Sequence, residues 1–301
     1  MQNSKQISGA AHAIRVSSMD ERSAALEFLA GLAADLSRGP VDLPCFPNVV
    51  IKIRDALNDP NTTIEETVRL VGTEPRLTAS LMQTANSAAL NHSGKRITEL
   101  KLAITRLGQQ LVQGATMAFA VRQMKDEPKL RSISKPLREL WQESIAVASI
   151  SQVVARRTKV RSDEAFLTGL LHGIGRLYIM AHAVDQPGEV SASLAGSDLI
   201  AGWHPSIGKA VLENWGMEDA IAEAVSEQFD YDRAPRRDAD LTDVLIVSVV
   251  LADTLGQPAP RQISMGEVSS FSRIGMTLDD CNATLTHAEY QLGSLQEALG
   301  C

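Results

Sequence analysis

Apolar residues recur at helical spacing through almost the whole chain. Over residues 22–37, Leu26, Leu29, Leu32, Ala33 and Leu36 share one helical face, and Gly39-Pro40 ends the run. The two prolines of Leu43-Pro-Cys-Phe-Pro47 forbid a regular helix there; Val49, Val50, Ile53 and Leu57 then predict a helix closed by Asn58-Asp-Pro60. Thr63 and Glu66 have the spacing of a capping box, opening a helix that Gly72 ends. Pro75 suits the first turn of the next helix, which carries Leu77, Leu81, Met82 and Ala85. After Asn86-Ser87 and a polar loop with Gly94, Ile97 to Gly108 predicts an amphipathic helix with a glycine stop. Gln109 to Met124 is apolar enough to be core. Short helices alternating with tight turns predict an orthogonal bundle rather than a coiled coil.

Charge and Pro128 interrupt the pattern between Lys125 and Lys135, which marks the expected boundary between two packed helical subdomains. Beyond it, a long helix near 136–157 contains Trp141, Ile145, Val147, Ile150 and Val153. Short helices follow around 163–171 and 174–183, then a Gly/Ser-rich loop near 186–202 leading to Trp203-His-Pro205. A helix over Ile207 to Gly216 and further helices at about 218–229, 240–255 and 279–299 complete the chain. The expected organisation is a leader over 1–20, an N-terminal helical subdomain over 21–127, a second over 128–256 and a C-terminal helical extension over 257–301. No fixed-period repeat is present, which argues against a solenoid.

Composition agrees with an all-α fold. The 301 residues are 44% apolar, enough for a core, while aromatics make up only 4% and alternating β-rich stretches are scarce. Cys45, Cys281 and Cys301 are odd in number and show no metal-finger spacing, so reduced thiols in a cytoplasm are expected. The longest apolar stretch, Val244 to Ala252, is less than half the length needed to cross a bilayer, and the N-terminus lacks a signal-peptide core. A formal charge of −7 argues against a general nucleic-acid or anionic-membrane binder. Arg156, Arg157, Lys159 and Arg161 form a local basic cluster, but cations at the end of a long helix complement its dipole.

The most informative spot is His172-Gly173 within Gly169-Leu-Leu-His-Gly-Ile-Gly-Arg-Leu177. It reads as a metal-binding His-Asp doublet without its aspartate, and glycine holds no metal. A hydrolytic metal centre needs several His and carboxylate ligands converging with an open position for water. Together with Leu43 to Pro47, Thr73-Glu-Pro-Arg-Leu-Thr78, Thr84-Ala-Asn-Ser87, Ile97 to Gly108, Leu140-Trp-Gln-Glu-Ser144, His204-Pro-Ser-Ile-Gly208, Asn214-Trp-Gly216 and Leu251-Ala-Asp253, these segments resemble the HDOD family, bacterial signalling-associated relatives of the HD metal-dependent phosphohydrolases. The resemblance covers roughly residues 35–255. One departure is Glu74, where the family more often has aspartate before the proline.

That resemblance implies an HD-like all-α fold and a degenerate catalytic centre. Active HD enzymes hold a metal through a histidine where this chain has Glu143, a His-Asp doublet where it has His172-Gly173, and an aspartate matched by Asp253. Gln228-Phe229 stands where many relatives carry a further histidine pair. Glu143, His172, Gly173, His204 and Asp253 are therefore expected to line a remnant cavity, with no bound metal, no cofactor and no catalytic residue. The implied function is regulatory: a protein-interaction module in a bacterial signalling pathway. A phosphohydrolase or second-messenger nucleotide site in that cavity, and a nucleic-acid regulator using Arg156 to Arg161, are the alternatives. Leu43, Phe46 and Pro47 are a candidate interface rim, since Phe46 is a large apolar group on an extended backbone; the competing reading makes Phe46 a plug between subdomains. Trp141, Trp203 and Trp215 are expected to fill gaps between helices, each indole N–H finding one partner.

Overall fold

The computed structural model describes residues 22–39, 47–87, 90–91, 94–124, 127–186, 198–234, 238–255 and 265–299, and among them it is helical throughout, with no strand. Helix α1 spans 22–36, and α2 (Asn48–Asn58), α3 (Ile64–Gly72), α4 (Pro75–Asn86) and α5 (Leu100–Met124) follow. The short 3-10 turn Pro128–Ile133 leads into α6 (Ser134–Ala155), α7 (Ser162–Leu171) and α8 (Ile174–Ala183). The remaining helices are α9 (Asp198–Asn214), α10 (Asp219–Ser226), α11 (Leu241–Ala252), α12 (Ser269–Ile274) and α13 (Leu278–Leu299). Helix α6 is the hub, packing on α7, α11 and α13, while α8 lies on α9 and α5 on α7.

Local chemistry explains most helix ends. Thr63 Oγ1 accepts from the Glu66 amide at 3.2 Å while the Glu66 carboxylate accepts from the Thr63 amide at 2.9 Å, a reciprocal capping box that satisfies two amides no helical carbonyl can reach. Glu74 is the N-cap of α4, its carboxylate accepting from the Arg76 amide at 3.2 Å, with Pro75 in the first turn. Helix α5 is broken at Gly108, whose φ of 75° is a left-handed conformation that glycine tolerates best, so the expected stop is a kink between two helical segments.

Three expectations are corrected. The helix expected from Ile97 starts at Leu100, because Asn86 has captured the Ile97 backbone: its Oδ1 accepts from Ile97 N at 2.7 Å and its Nδ2 donates to Ile97 O at 2.9 Å. The segment expected as loop up to residue 202, and Trp203-His-Pro205 after it, is helical from Asp198, with Pro205 inside the helix. Leu199, Ile200, Trp203, Ile207 and Val211 pack on the core from this helix, and that burial outweighs the one amide donor proline lacks. Helix α12 was not foreseen: its six residues are too few to show a period, and it is held by burying Val268 and Phe271. It closes on Gly275 (φ 74°), with Met276 N donating to Phe271 O at 3.0 Å.

The motif Asn214-Trp-Gly216 stitches the early helices to the later ones. Asn214 Nδ2 donates to Leu36 O at the end of α1 (3.0 Å), and Trp215 O accepts from Asn58 Nδ2 (3.0 Å) and Gln113 Nε2 (2.5 Å). Gly216 follows at φ 69°, where a Cβ would meet the Asn58 amide at 2.7 Å, so both its backbone shape and its small size are required. This stitch fixes how α9, which carries His204, sits on the rest of the bundle.

Candidate functional site

Three helices and one helix junction build the site. Helix α6 contributes Glu143, half-buried between the buried Leu140, Trp141 and Ser144. Helix α7 ends at Leu171, His172 is its buried C-cap residue, and Gly173 is the N-cap of α8. One turn after His172, on the same face, α8 presents Arg176. Helix α9 contributes the buried His204, and Asp253 follows directly after α11.

The centre is an ion pair. Arg176 Nη1 donates to both Glu143 carboxylate oxygens, at 2.8 and 2.9 Å. His172 faces an acceptor on each side: Nδ1 lies 2.8 Å from Gly169 O and Nε2 3.5 Å from Glu143 Oε1, so a hydrogen bond to both requires a proton on each ring nitrogen. Burial pushes the Glu143 carboxyl up, but the hydrogen bond and charge of His172 and those of Arg176 outweigh it and hold the carboxyl below its usual range. His204 stays neutral: burial, with Arg176 and His172 adding and Glu143 opposing, pushes its imidazole down to about 3. Its ring meets Phe229 edge-on, centroids 5.5 Å apart. Asp253 is pushed up by burial and then by the Glu143 charge, against Arg176 and His172. The five ionisable groups thus form one electrostatic unit.

The structure brings some of the expected residues into contact and links others through their charges. Glu143 and His172 touch, and His204 and Asp253 stand within their field. Leu43 and Phe46 lie outside the described residues, and Pro47 is the partly exposed N-cap of α2. Gln228 is fully buried; its Nε2 donates to His172 O at 3.2 Å and Val225 O at 2.7 Å, so it braces the doublet's backbone. Sequence reasoning missed Arg176. The signal available was its position, four residues after His172, but that spacing does not reveal a partner on another helix. Trp141 departs from expectation as well: its buried indole N–H has no hydrogen-bond partner among the described residues. Three of the four residues of the basic cluster are paired beyond the end of α6, while Arg156 is the C-cap of that helix, at the negative end of its dipole. Arg157 meets Asp280 at 2.5 Å, Lys159 meets Asp238 at 3.1 Å and Arg161 meets Asp163 at 2.6 Å, and no basic residue lies in the last turn of α6.

These side chains do not fit a divalent ion. The charge that would balance Glu143 is already supplied by a guanidinium, and no three His, Cys, Asp or Glu side chains among the described residues converge as a ligand set. At Gly173 a Cβ would meet Leu140 Cδ1 at 2.6 Å and Ser144 Oγ at 3.6 Å, so the absent carboxylate's place is lined by α6 side chains.

The sequence model of the HDOD domain matches residues 43–231, more than half of the chain. The chain belongs to the HDOD domain family. A solved HDOD domain protein of unknown function from Geobacter sulfurreducens is 23% identical, with a TM-score of 0.55, and covers 91% of this chain and 99% of its own. A Shewanella amazonensis SB2B protein named provisionally as a metal-dependent phosphohydrolase gives a TM-score of 0.65 at 18% identity, over 91% of this chain and 99% of its own. A Marinobacter aquaeolei VT8 protein named provisionally as a signal transduction protein gives 0.56 at 17%, over 93% of this chain and 66% of its own. At such identities the likeness concerns the HD-like all-α fold. A curated relative, an uncharacterized protein of Treponema pallidum (strain Nichols), is 19% identical over 254 residues, 81% of this HDOD chain and 48% of that protein, so the chain spans about half the length of the curated relative it matches. No helix among the described residues is long and apolar enough to cross a membrane.

Proposed function

We propose that this HDOD chain is a non-catalytic regulatory module that works in bacterial signal transduction by binding another protein. The observation that carries the reading is the Arg176–Glu143 pair: a guanidinium stands as the resident cation of the centre. A hydrolytic site needs an open coordination position and a water-activating charge, whereas here both carboxylate oxygens are held by a side chain that cannot give up its proton. The family's signalling association supplies the biological setting. The alternative of a metal-dependent phosphohydrolase or nucleotide site at the same cavity makes the opposite demand, because the cation must then come from solution.

Metal analysis separates the two. The purified protein is expected to retain well under one equivalent of manganese, iron or zinc after dialysis, and its melting temperature is expected not to respond to added Mn²⁺ or to chelator. In Arg176→Ala, Glu143 loses its counter-charge, and stability is expected to fall and be partly recovered by Mn²⁺. One equivalent of metal in the parent, lost in His172→Ala, would revive the hydrolase reading.

A second test restores the missing aspartate. Gly173→Asp is expected to leave phosphodiesterase and nucleotide phosphohydrolase turnover at the parent's background. The new Cβ must first displace Leu140 Cδ1, and the new carboxylate joins a centre whose cation is Arg176. One returned ligand does not rebuild several ligands and their supporting shell. Metal-dependent turnover in that single variant would show that the centre needed only its aspartate.

A further inference from the structure

Between Arg122 and Glu139, where α5 hands over to α6 through the 3-10 turn, six lysines and arginines stand against three carboxylates, a local surplus of cations in a chain of net charge −7. The count includes Lys125 and Asp126, which cancel each other. Lys129, Arg131 and Arg138 are exposed, and no hydrogen bond or ion pair holds any of the three among the described residues, whereas Arg122 is engaged and Lys135 reaches Glu139 at 3.7 Å. The surplus is therefore open to a partner. Helix α8, which packs on the turn, brings Arg176 already paired with Glu143. Asp185, past the end of α8 and followed in sequence by Glu189, stands about 12 Å along the helix axis from Leu177.

The basic stretch borders a narrow apolar groove. Val121 of α5, Leu137 and Trp141 of α6 and Leu177 of α8 line it, and it extends to Ser144 and Gly173, where the aspartate is absent. Arg138 is an i, i+3 neighbour of Trp141 on the surface of α6, which sets a cation at the groove's edge. Its lining is recessed rather than raised, since Leu137 is 3% exposed and Trp141 8%. An occupant must bring a protruding apolar side chain of its own. It must also bring negative charge for the rim and an acceptor, because the buried Trp141 indole N–H has none among the described residues. A bilayer fails the first condition, as membrane-bound faces push apolar side chains outward, and a nucleic acid offers phosphate instead. The net charge opposes both. A peptide with an apolar residue between carboxylates meets all three.

We infer that the groove between the end of α5, the start of α6 and α8 receives an acidic segment of a partner protein, an apolar side chain entering beside Trp141 and carboxylates facing Arg131 and Arg138. This rests on the reading of the chain as a protein-binding module and names the chemistry of the partner it holds.

The test uses the full chain and four heptapeptides: a central leucine between glutamates, between lysines or between glycines, and a central serine between glutamates. Binding is followed by NMR titration of the Trp141 indole N–H signal, assigned with Trp141→Phe. The leucine peptide flanked by glutamates is expected to shift this signal and to bind about tenfold more tightly than the glycine-flanked or serine peptides, and the lysine-flanked peptide should give no shift. Arg138→Glu, and separately Arg131→Glu, are expected to weaken it several-fold, with an unchanged melting temperature showing that each variant is folded. Lys52→Glu, the same charge change at an exposed position on α2, should leave binding as it is. Added salt should weaken it. No shift with any peptide, equal binding of the glutamate- and lysine-flanked peptides, or equal losses in Lys52→Glu and Arg138→Glu would each overturn the inference, as would tighter binding of decanoate, phosphatidylglycerol vesicles or a DNA duplex than of the peptide. Its failure is separable from that of the functional reading: metal in the parent defeats the latter and leaves acidic docking standing, whereas peptide failure in a metal-independent protein defeats only the docking assignment.

Discussion

Asp243→Ala is expected to lower stability by about 3–5 kcal/mol, the usual consequence of removing one partner from a buried ionic cluster. Asp243 has no solvent exposure, yet its carboxylate serves four groups. Oδ1 accepts from Ser270 Oγ at 2.7 Å and from Arg273 Nη1 and forms an ion pair with Arg233 Nη1 at 3.2 Å, while Oδ2 accepts from the Asp240 amide at 3.1 Å to complete the capping box of α11. Arg233 keeps Asp240 and Glu227 when Asp243 is lost. Arg273 does not. Its side chain, only 9% exposed, would face Arg233 with no carboxylate contact left to it among the described residues. For a chain of this size the loss corresponds to a melting-temperature fall on the order of 10 °C. Asp243→Asn, which keeps the shape and removes the charge, should lie between parent and alanine. Urea denaturation gives the difference directly, and a loss below about 1 kcal/mol for alanine would mean that water reaches the cluster and screens it.

That cluster bears on the site because it supports the segment carrying Phe229 and Tyr231. Arg233 closes this segment onto Glu227, and α12 is bound to it through Ser269 and Arg273. Loosening the cluster should therefore also free these two rings, which near-ultraviolet circular dichroism can report at temperatures where the helices remain formed.

What the sequence makes legible is what neighbouring residues decide. The Thr63–Glu66 box, the Gly108 break and the helical junction at His172-Gly173 all depend on residues within a few positions of one another, and all are found where the pattern places them. Helix α9 is not legible in this way. Pro205 and residues 198–202 read locally as loop, and only the core that α9 covers makes the helix run from Asp198 through Pro205. The Asn214-Trp-Gly216 motif is visible as letters, but its meaning lies in Leu36, Asn58 and Gln113, each about a hundred or more residues away. Arg176 is the sharpest case. Nothing along α8 indicates that its partner is Glu143 on α6, so an expected vacancy in the chain turns out to contain a resident cation.

The two glycines flanking Ile174 should respond in opposite ways to the same substitution. Gly175→Ala is expected to destabilise by about 3 kcal/mol or more, at the upper end for an overpacked contact. A Cβ at Gly175 would lie 1.9 Å from His204 O and 2.7 Å from Gly208 N, and these are backbone atoms, so relief requires α8 and α9 to move apart. Gly208 cannot give way by repacking, since its own Cβ position meets Val225 Cγ1 at 3.0 Å and Gly175 N at 3.4 Å. Separating the helices shifts His204 from its contact with Phe229 and opens the buried centre to water. At Gly173 the obstacle is the end of a Leu140 side chain, which can rotate, and the backbone there has an ordinary φ of −89°. Gly173→Ala should therefore change stability by less than about 1 kcal/mol, since restricting the unfolded chain offsets part of the crowding. Equal stability of the two variants in urea would contradict this assignment. A large gap would establish that Gly175 is required by the fold, whereas Gly173 is not.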